Sequence, residues 1–99
     1  KANKKIKFLH HTNNQDSYNE AILTLLDACN KSFGENVNAS NVDDLIPLHS
    51  KYHSIKYPIK SFINLTSSEI YSSRTYYSKE RFDDVYNLVQ VLRVIERRL

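Results

Sequence analysis

The amino-acid sequence predicts a mainly α-helical domain with a small β component, and three observations support this class. Residues 17–33 and 79–95 repeat apolar side chains at the three- and four-residue spacing of amphipathic helices. The 99 residues include one glycine and two prolines, which are too few for the turns of an all-β fold. The short stretches 62–66 and 94–99 are rich in β-branched residues and are typical of strands.

Length and composition predict one domain of a longer protein. We expect residues 1–99 to form a single domain excised from a longer chain, because their number suffices for one core and methionine is lacking. The single cysteine, Cys29, excludes an internal disulfide and is expected to be buried. No apolar run approaches the ~18 residues of a membrane span. A net charge of +3 permits nucleic-acid binding without requiring it.

The clearest predicted helix covers residues 17–33. Ser17 and Glu20 have the spacing of a capping box, and Gly34 is placed for a left-handed C-cap. One apolar stripe comprises Tyr18, Ile22, Leu25, Leu26, Cys29 and Phe33. Before this helix, the alternation of Ile6 and Phe8 indicates a short strand or a docking tail. The lysines around it are interpreted as a solvated flank that can still touch phosphates.

The segment between residues 40 and 60 predicts an inserted helix. Ser40 or Asn41 can cap a short helix that carries Val42, Leu45 and Ile46. Pro47 is expected to end or kink it, and Tyr57–Pro58 is expected to be extended.

The remaining residues predict a strand, a helix, a turn, a final helix and a second strand. The first strand is 62–66, and Thr66 with Glu69 forms a second capping box that begins a helix burying Ile70 and Tyr71. Residues 75–77 form the turn, and Ser78 caps the last helix. Its apolar residues are Phe82, Val85, Tyr86, Leu88, Val89, Val91, Leu92 and Ile95. From Val94 the chain is expected to become a strand.

This order resembles a winged helix-turn-helix with an inserted extra helix. "INLTSSEIYSS" resembles the strand and second helix of forkhead-type domains, and "ERFDDVYNLVQVLRVIERR" resembles the third helix and first wing strand of DP-type cell-cycle transcription factors. A winged helix with an insertion also resembles the extended winged-helix domains of large basal transcription subunits. Among such subunits, the chain is expected to resemble the largest subunit of the RNA polymerase III factor TFIIIC.

The resemblance implies a nuclear transcription-factor module that contacts DNA weakly, mainly through its backbone, within a multisubunit complex. The expected contact residues lie at the turn and after it: Arg74, Tyr76, Tyr77, Lys79, Arg81, Arg93, Arg97 and Arg98. Base reading is expected to be poor, because Glu80 and Asp83 on the same helix are repelled by phosphates. Reversing Arg74, Lys79 and Arg81 to glutamate is expected to abolish the binding.

The alternative is a winged-helix protein-interaction or scaffolding module that does not bind DNA. No glycine-rich phosphate loop is present, and His49 and His53 are not joined by a third metal ligand at useful spacing. The sequence therefore predicts no enzyme, no cofactor and no metal, with a monomeric isolated domain. Leu25 and Val89 are expected to be core residues from helices that pack on each other.

Overall fold

Helices account for all regular structure in the part of the chain that the computed structural model describes. This part comprises the backbone of residues 2–71 and 77–97 and the side chains of residues 4–67 and 77–97. Its elements in chain order are α1 (Ala2–Thr12), α2 (Gln15–Phe33), α3 (Val42–Leu45), two 3₁₀ helices (Ile46–Leu48 and Ser50–Ile55), α4 (Lys56–Tyr71) and α5 (Lys79–Arg97).

The predicted β component is wrong for every described residue. The stretch 62–66 lies inside α4, where Ile59, Ile63 and Thr66 are buried at spacings of four and three. The chain from Val94 continues α5 to Arg97. Helical spacing lets these side chains reach the core, and this burial outweighs the local preference of β-branched residues for strands. The winged helix-turn-helix arrangement requires strands, so it does not describe this fold.

The amino-terminal segment forms helix α1 and not the predicted strand or tail. Ile6 and Leu9, three residues apart, are buried, whereas Phe8 is 72% exposed. A strand would place Ile6 and Phe8 on one face, but the helix places Ile6 and Leu9 together against α2 and α5.

Helix α2 begins two residues before the predicted Ser17–Glu20 capping box, which is therefore wrong. Asn14 is the N-cap: its side chain accepts a hydrogen bond from the Ser17 backbone N–H at 2.9 Å, and the Asn14 N–H donates to Ser17 Oγ at 3.0 Å. The predicted C-cap is confirmed, since Gly34 has φ of 76° and its N–H donates to the Asn30 carbonyl. The predicted stripe is also confirmed, with Leu26 at its partly buried edge.

The inserted helix is present but short. Helix α3 buries Val42 and Leu45, and Pro47 lies in the 3₁₀ helix that follows it. The predicted extended conformation at Tyr57–Pro58 is wrong, because Pro58 is the third residue of α4. Proline is tolerated in the first turn of a helix, where its missing N–H would have no intrahelical acceptor.

Helix α4 also contains the position predicted to begin a separate helix. Thr66 is 2% exposed and lies in the second half of α4, so it is not an N-cap. The chain was already helical before Thr66, which leaves no free backbone N–H group for a cap to satisfy. The side chains of Glu69, Ile70 and Tyr71, and the predicted turn at Thr75 and Tyr76, lie outside the described residues.

Helix α5 is the central element of the described core, because it packs against α1, α2 and α4. Its predicted N-cap is confirmed: Ser78 Oγ accepts a hydrogen bond from the Arg81 backbone N–H at 3.1 Å. The predicted apolar face is buried or packed against the core except at Val91, which is 40% exposed. Leu25 of α2 and Val89 of α5 are both buried as predicted.

Cys29, on helix α2, has a buried thiol. Its exposed fraction is 1%, and burial, reinforced by the negative charge of Glu96, raises its pKa to about 12. The thiol therefore keeps its proton in the folded state at pH values where the unfolded chain, with an ordinary cysteine pKa of 9.0, loses it.

We expect Cys29 to lower the stability of the protein at alkaline pH. The unfolded state binds fewer protons than the native state between pH 9.0 and about pH 12, so the free energy of unfolding falls as pH rises through this window. The slope is about 1.4 kcal/mol per pH unit. Urea unfolding of wild type and Cys29→Ala at several pH values measures this contribution as the difference between the two stability curves. Tyrosines and lysines titrate in both proteins, so their effect cancels in that difference. Stability curves that stay parallel above pH 9 would contradict it.

Candidate functional site

An open groove of about 970 Å³ lies between α2 and the carboxy-terminal half of α5. The first turns of α1 close one side of it, through Lys4 and Lys5. Its walls combine charged side chains with an apolar set formed by Leu23, Ala28, Val89 and Leu92. This surface is named the basic groove because five of its lining side chains are basic and three are acidic: Lys4, Lys5, Lys31, Arg93 and Arg97 against Glu20, Asp27 and Glu96.

The acidic side chains of the basic groove have partners in the structure. Lys5 Nζ lies 3.3 Å from Glu20 Oε1 and joins α1 to α2, and Lys31 Nζ lies 3.1 Å from Asp27 Oδ2 one turn away on α2. Glu96 accepts a hydrogen bond of 3.3 Å from the Ser32 hydroxyl. Two of the three acidic charges are therefore balanced by Lys5 and Lys31.

The other three basic side chains in the groove have no ion-pair partner among the described residues. Lys4, Arg93 and Arg97 are exposed, and the structure shows no ion pair between any of them and a residue that it describes. They come from two helices that pack together, α1 and α5. Three positive charges thus border an open groove with only Glu96 to oppose them.

The predicted contact residues are divided between two ends of α5. Arg93 and Arg97 line the basic groove, whereas Lys79 is exposed in the first turn and Arg81 lines a different groove. From Lys79 to Arg93 the helix rises roughly 21 Å, so these side chains cannot share one small ligand. Arg74, Tyr76 and Arg98 lie outside the residues whose side chains are described.

Tyr77 is partly buried and packs against the core. Its hydroxyl donates a hydrogen bond of 2.7 Å to the Asn13 carbonyl and also contacts the Asn13 side chain. Its ring packs edge-on against Tyr18 and Phe82. These contacts hold the start of α5 against the α1–α2 connection, which assigns Tyr77 a structural role.

His10 links α1 to α5. Its Nε2 lies 2.7 Å from Asp83 Oδ1, and its ring stacks on Tyr86 with centroids 4.6 Å apart. Asp83 is therefore half-buried and held by α1.

A second groove of about 400 Å³ lies between α4 and α5. Its lining is mainly apolar and includes Pro58, Phe62, Leu65 and Val91, while Arg81 and Asp84 carry opposite charges beside it. Leu65 and Val91 are 37% and 40% exposed. This surface is named the apolar groove.

The described residues contain neither a metal-binding cluster nor a membrane-spanning helix. No three His, Cys, Asp or Glu side chains among them are grouped as a metal ion requires. His49 packs edge-on against Phe33 with centroids 5.0 Å apart, while His53 is exposed. No helix in this part of the chain is long and apolar enough to cross a membrane.

Sequence reasoning missed the basic residues that accompany Arg93 and Arg97. Lys4 and Lys5 were interpreted as a solvated flank, and nothing in the sequence distinguished Lys31 from other surface lysines. The concentration of lysines before Phe8 was the only available signal. This concentration of lysines did not reveal that the first turn of α1 lies beside the carboxy-terminal end of α5.

Comparisons with models of protein families, with curated proteins and with solved structures give no match for this chain. The resemblance to winged-helix proteins therefore gains no support from them, and the site must be interpreted from its own chemistry.

Proposed function

We propose that this domain is a non-catalytic binding module that contacts the phosphate backbone of DNA through the basic groove. The observation that carries the proposal is the set formed by Lys4, Arg93 and Arg97, three exposed basic side chains without a described ion-pair partner. Basic side chains that border a groove supply the sequence-independent part of nucleic-acid affinity. The nuclear location and the place in a transcription complex stay predictions that depend on this binding.

The binding is weak and does not read bases. Helix α5 is packed against three other helices, and its exposed positions near the amino end include Glu80 and Asp84. A helix in this setting cannot enter a major groove without bringing carboxylates to the phosphates. Contacts to about three phosphates place affinity at micromolar or weaker near physiological salt.

Charge reversal in the basic groove tests the proposal. We expect Lys4→Glu/Arg93→Glu/Arg97→Glu to abolish binding of a labelled DNA in a fluorescence-anisotropy titration, because all three phosphate contacts become repulsive. For the wild type, three duplex contacts predict an affinity loss of roughly 40-fold between about 50 and 200 mM salt.

The matched control is Lys51→Glu/Lys56→Glu/Lys79→Glu, which changes the net charge by the same amount at residues outside the basic groove. It is expected to bind almost as the wild type does. Equal loss in both variants would show that only the net charge matters. Loss in the control alone would move the site to the beginning of α5 and contradict the proposal.

A second candidate function is protein interaction through the apolar groove. Leu65 and Val91 expose apolar surface there, and one positive and one negative side chain leave the groove without net charge. Such a surface selects an apolar segment of another subunit and not a nucleic acid. Absence of any DNA binding by the wild type at low salt would favour this function.

A further inference from the structure

We propose that Phe8 is a stacking platform for an unpaired base, so that the preferred ligand of the basic groove is a single strand. This inference rests on the proposed function, because the phosphates of the same strand would contact Lys4, Arg93 and Arg97. It adds the physical form of the nucleic acid and a stacking contact to the face of a base, which is independent of sequence.

The first observation is that the Phe8 ring is largely exposed to solvent. Its side chain is 72% exposed on α1, and the structure shows no ring or cation from any described residue stacked on it. Tyr57 makes a useful contrast, because it is 71% exposed but has the Nζ of Lys56 5.0 Å from its ring centroid. An aromatic ring in water gains when a base covers its face, and any of the four bases can do so.

The second observation is the charge around Phe8. Helix α1 contains no acidic residue, and its Lys5 and His10 side chains are held by Glu20 and Asp83. Lys4 and His11 lie one turn to either side of Phe8 on the outer surface, and Lys7 precedes it. The surroundings of the ring therefore attract a polyanion, as in proteins that bind single strands by combining basic and aromatic side chains.

The third observation is continuity with the basic groove. Lys4 lines that groove together with Arg93 and Arg97, and Phe8 follows Lys4 by one helical turn, roughly 6 Å along the axis. A strand that crosses the groove can thus pass over Lys4 and place a base on Phe8. In a duplex each base is already covered by its neighbours, so the ring has no face to stack on.

A lipid surface fits this helix less well. Membrane-surface helices present a wide apolar face, but the apolar residues Ile6 and Leu9 of α1 are buried in the core. Phe8 is the one large apolar side chain that the described part of α1 exposes.

The test is a fluorescence-anisotropy titration of a labelled oligothymidylate of about 12 nucleotides, with a duplex of equal length, at low salt. We expect the wild type to prefer the single strand. Phe8→Ala should weaken single-strand binding by roughly fivefold or more and leave duplex binding unchanged. Phe8→Leu, which keeps apolar area without a π face, should behave like Phe8→Ala, whereas Phe8→Trp should retain affinity.

Tyr57→Ala is the matched control for removing an exposed aromatic ring, and it should bind as the wild type does. Circular dichroism verifies that each variant is folded. Wild-type binding by Phe8→Ala or Phe8→Leu, or a preference for duplex, would overturn the stacking role while the groove variant still tests the proposed function. If the wild type binds neither ligand at low salt, the proposed function fails and the stacking role fails with it.

Discussion

Replacing Leu25 with alanine is expected to lower the free energy of unfolding by about 2–5 kcal/mol. Leu25 is fully buried in the middle of α2, and this helix packs against both α1 and α5. Truncating this side chain removes buried apolar contacts and leaves a cavity in the core, and the cost depends on how far the surrounding helices collapse to fill it. Val89→Ala, on the facing side of α5, should destabilise in the same direction by less, since fewer methyl groups are lost.

Urea unfolding followed by circular dichroism measures these changes. Leu23→Ala is the matched control, because Leu23 is on the same helix but 59% exposed, and surface substitutions usually change stability by less than about 0.5 kcal/mol. A loss at Leu23 equal to that at Leu25 would mean that the buried face of α2 has been assigned incorrectly.

Introducing proline at Asn64 is expected to destabilise the protein by about 3 kcal/mol or more. Asn64 is exposed and lies in the interior of α4, where its backbone N–H faces the carbonyl of the residue four positions earlier. Proline removes that hydrogen bond and its ring clashes with the same carbonyl. The expected loss therefore comes from the backbone, since the side chain itself has little packing to lose.

Asn64→Ala is the control, and it should be neutral or slightly stabilising because alanine is a better helix former than asparagine. The pair of variants also tests the correction of the strand that the sequence predicted at residues 62–66. An edge strand in contact with solvent tolerates proline far better than a helix interior does. Wild-type stability in Asn64→Pro would argue against α4.

Helix α2 shows how far the sequence determines local structure. Its apolar stripe and the left-handed cap at Gly34 were predicted because both depend on residues within a few turns of one another. The beginning of this helix was placed two residues too late. Serine is common at the N-cap position, but in this helix Ser17 is the third residue after the N-cap, Asn14. Asn14 could be recognised as the cap only once its extended backbone was seen.

The errors at residues 62–66 and at the end of α5 have a common origin. The two stretches contain four β-branched residues, Ile63, Thr66, Val94 and Ile95, and each favours a strand by only a fraction of a kcal/mol. Burying Ile59, Ile63 and Ile95 contributes more, about 1.5–3 kcal/mol for each side chain. Which face becomes buried depends on neighbouring helices, and these come from distant parts of the sequence.

The sequence by itself determined two helices with their apolar faces, the buried Cys29 and the mildly basic charge. Each is either a count of residues or a pattern within a single helix. The tertiary structure alone decided that Lys4 meets Arg93 and Arg97 around one groove, and that Phe8 is exposed beside it while Ile6 is buried. The physical reason is that about 90 residues separate these basic side chains, and only the packing of α1 against α2 and α5 brings them together.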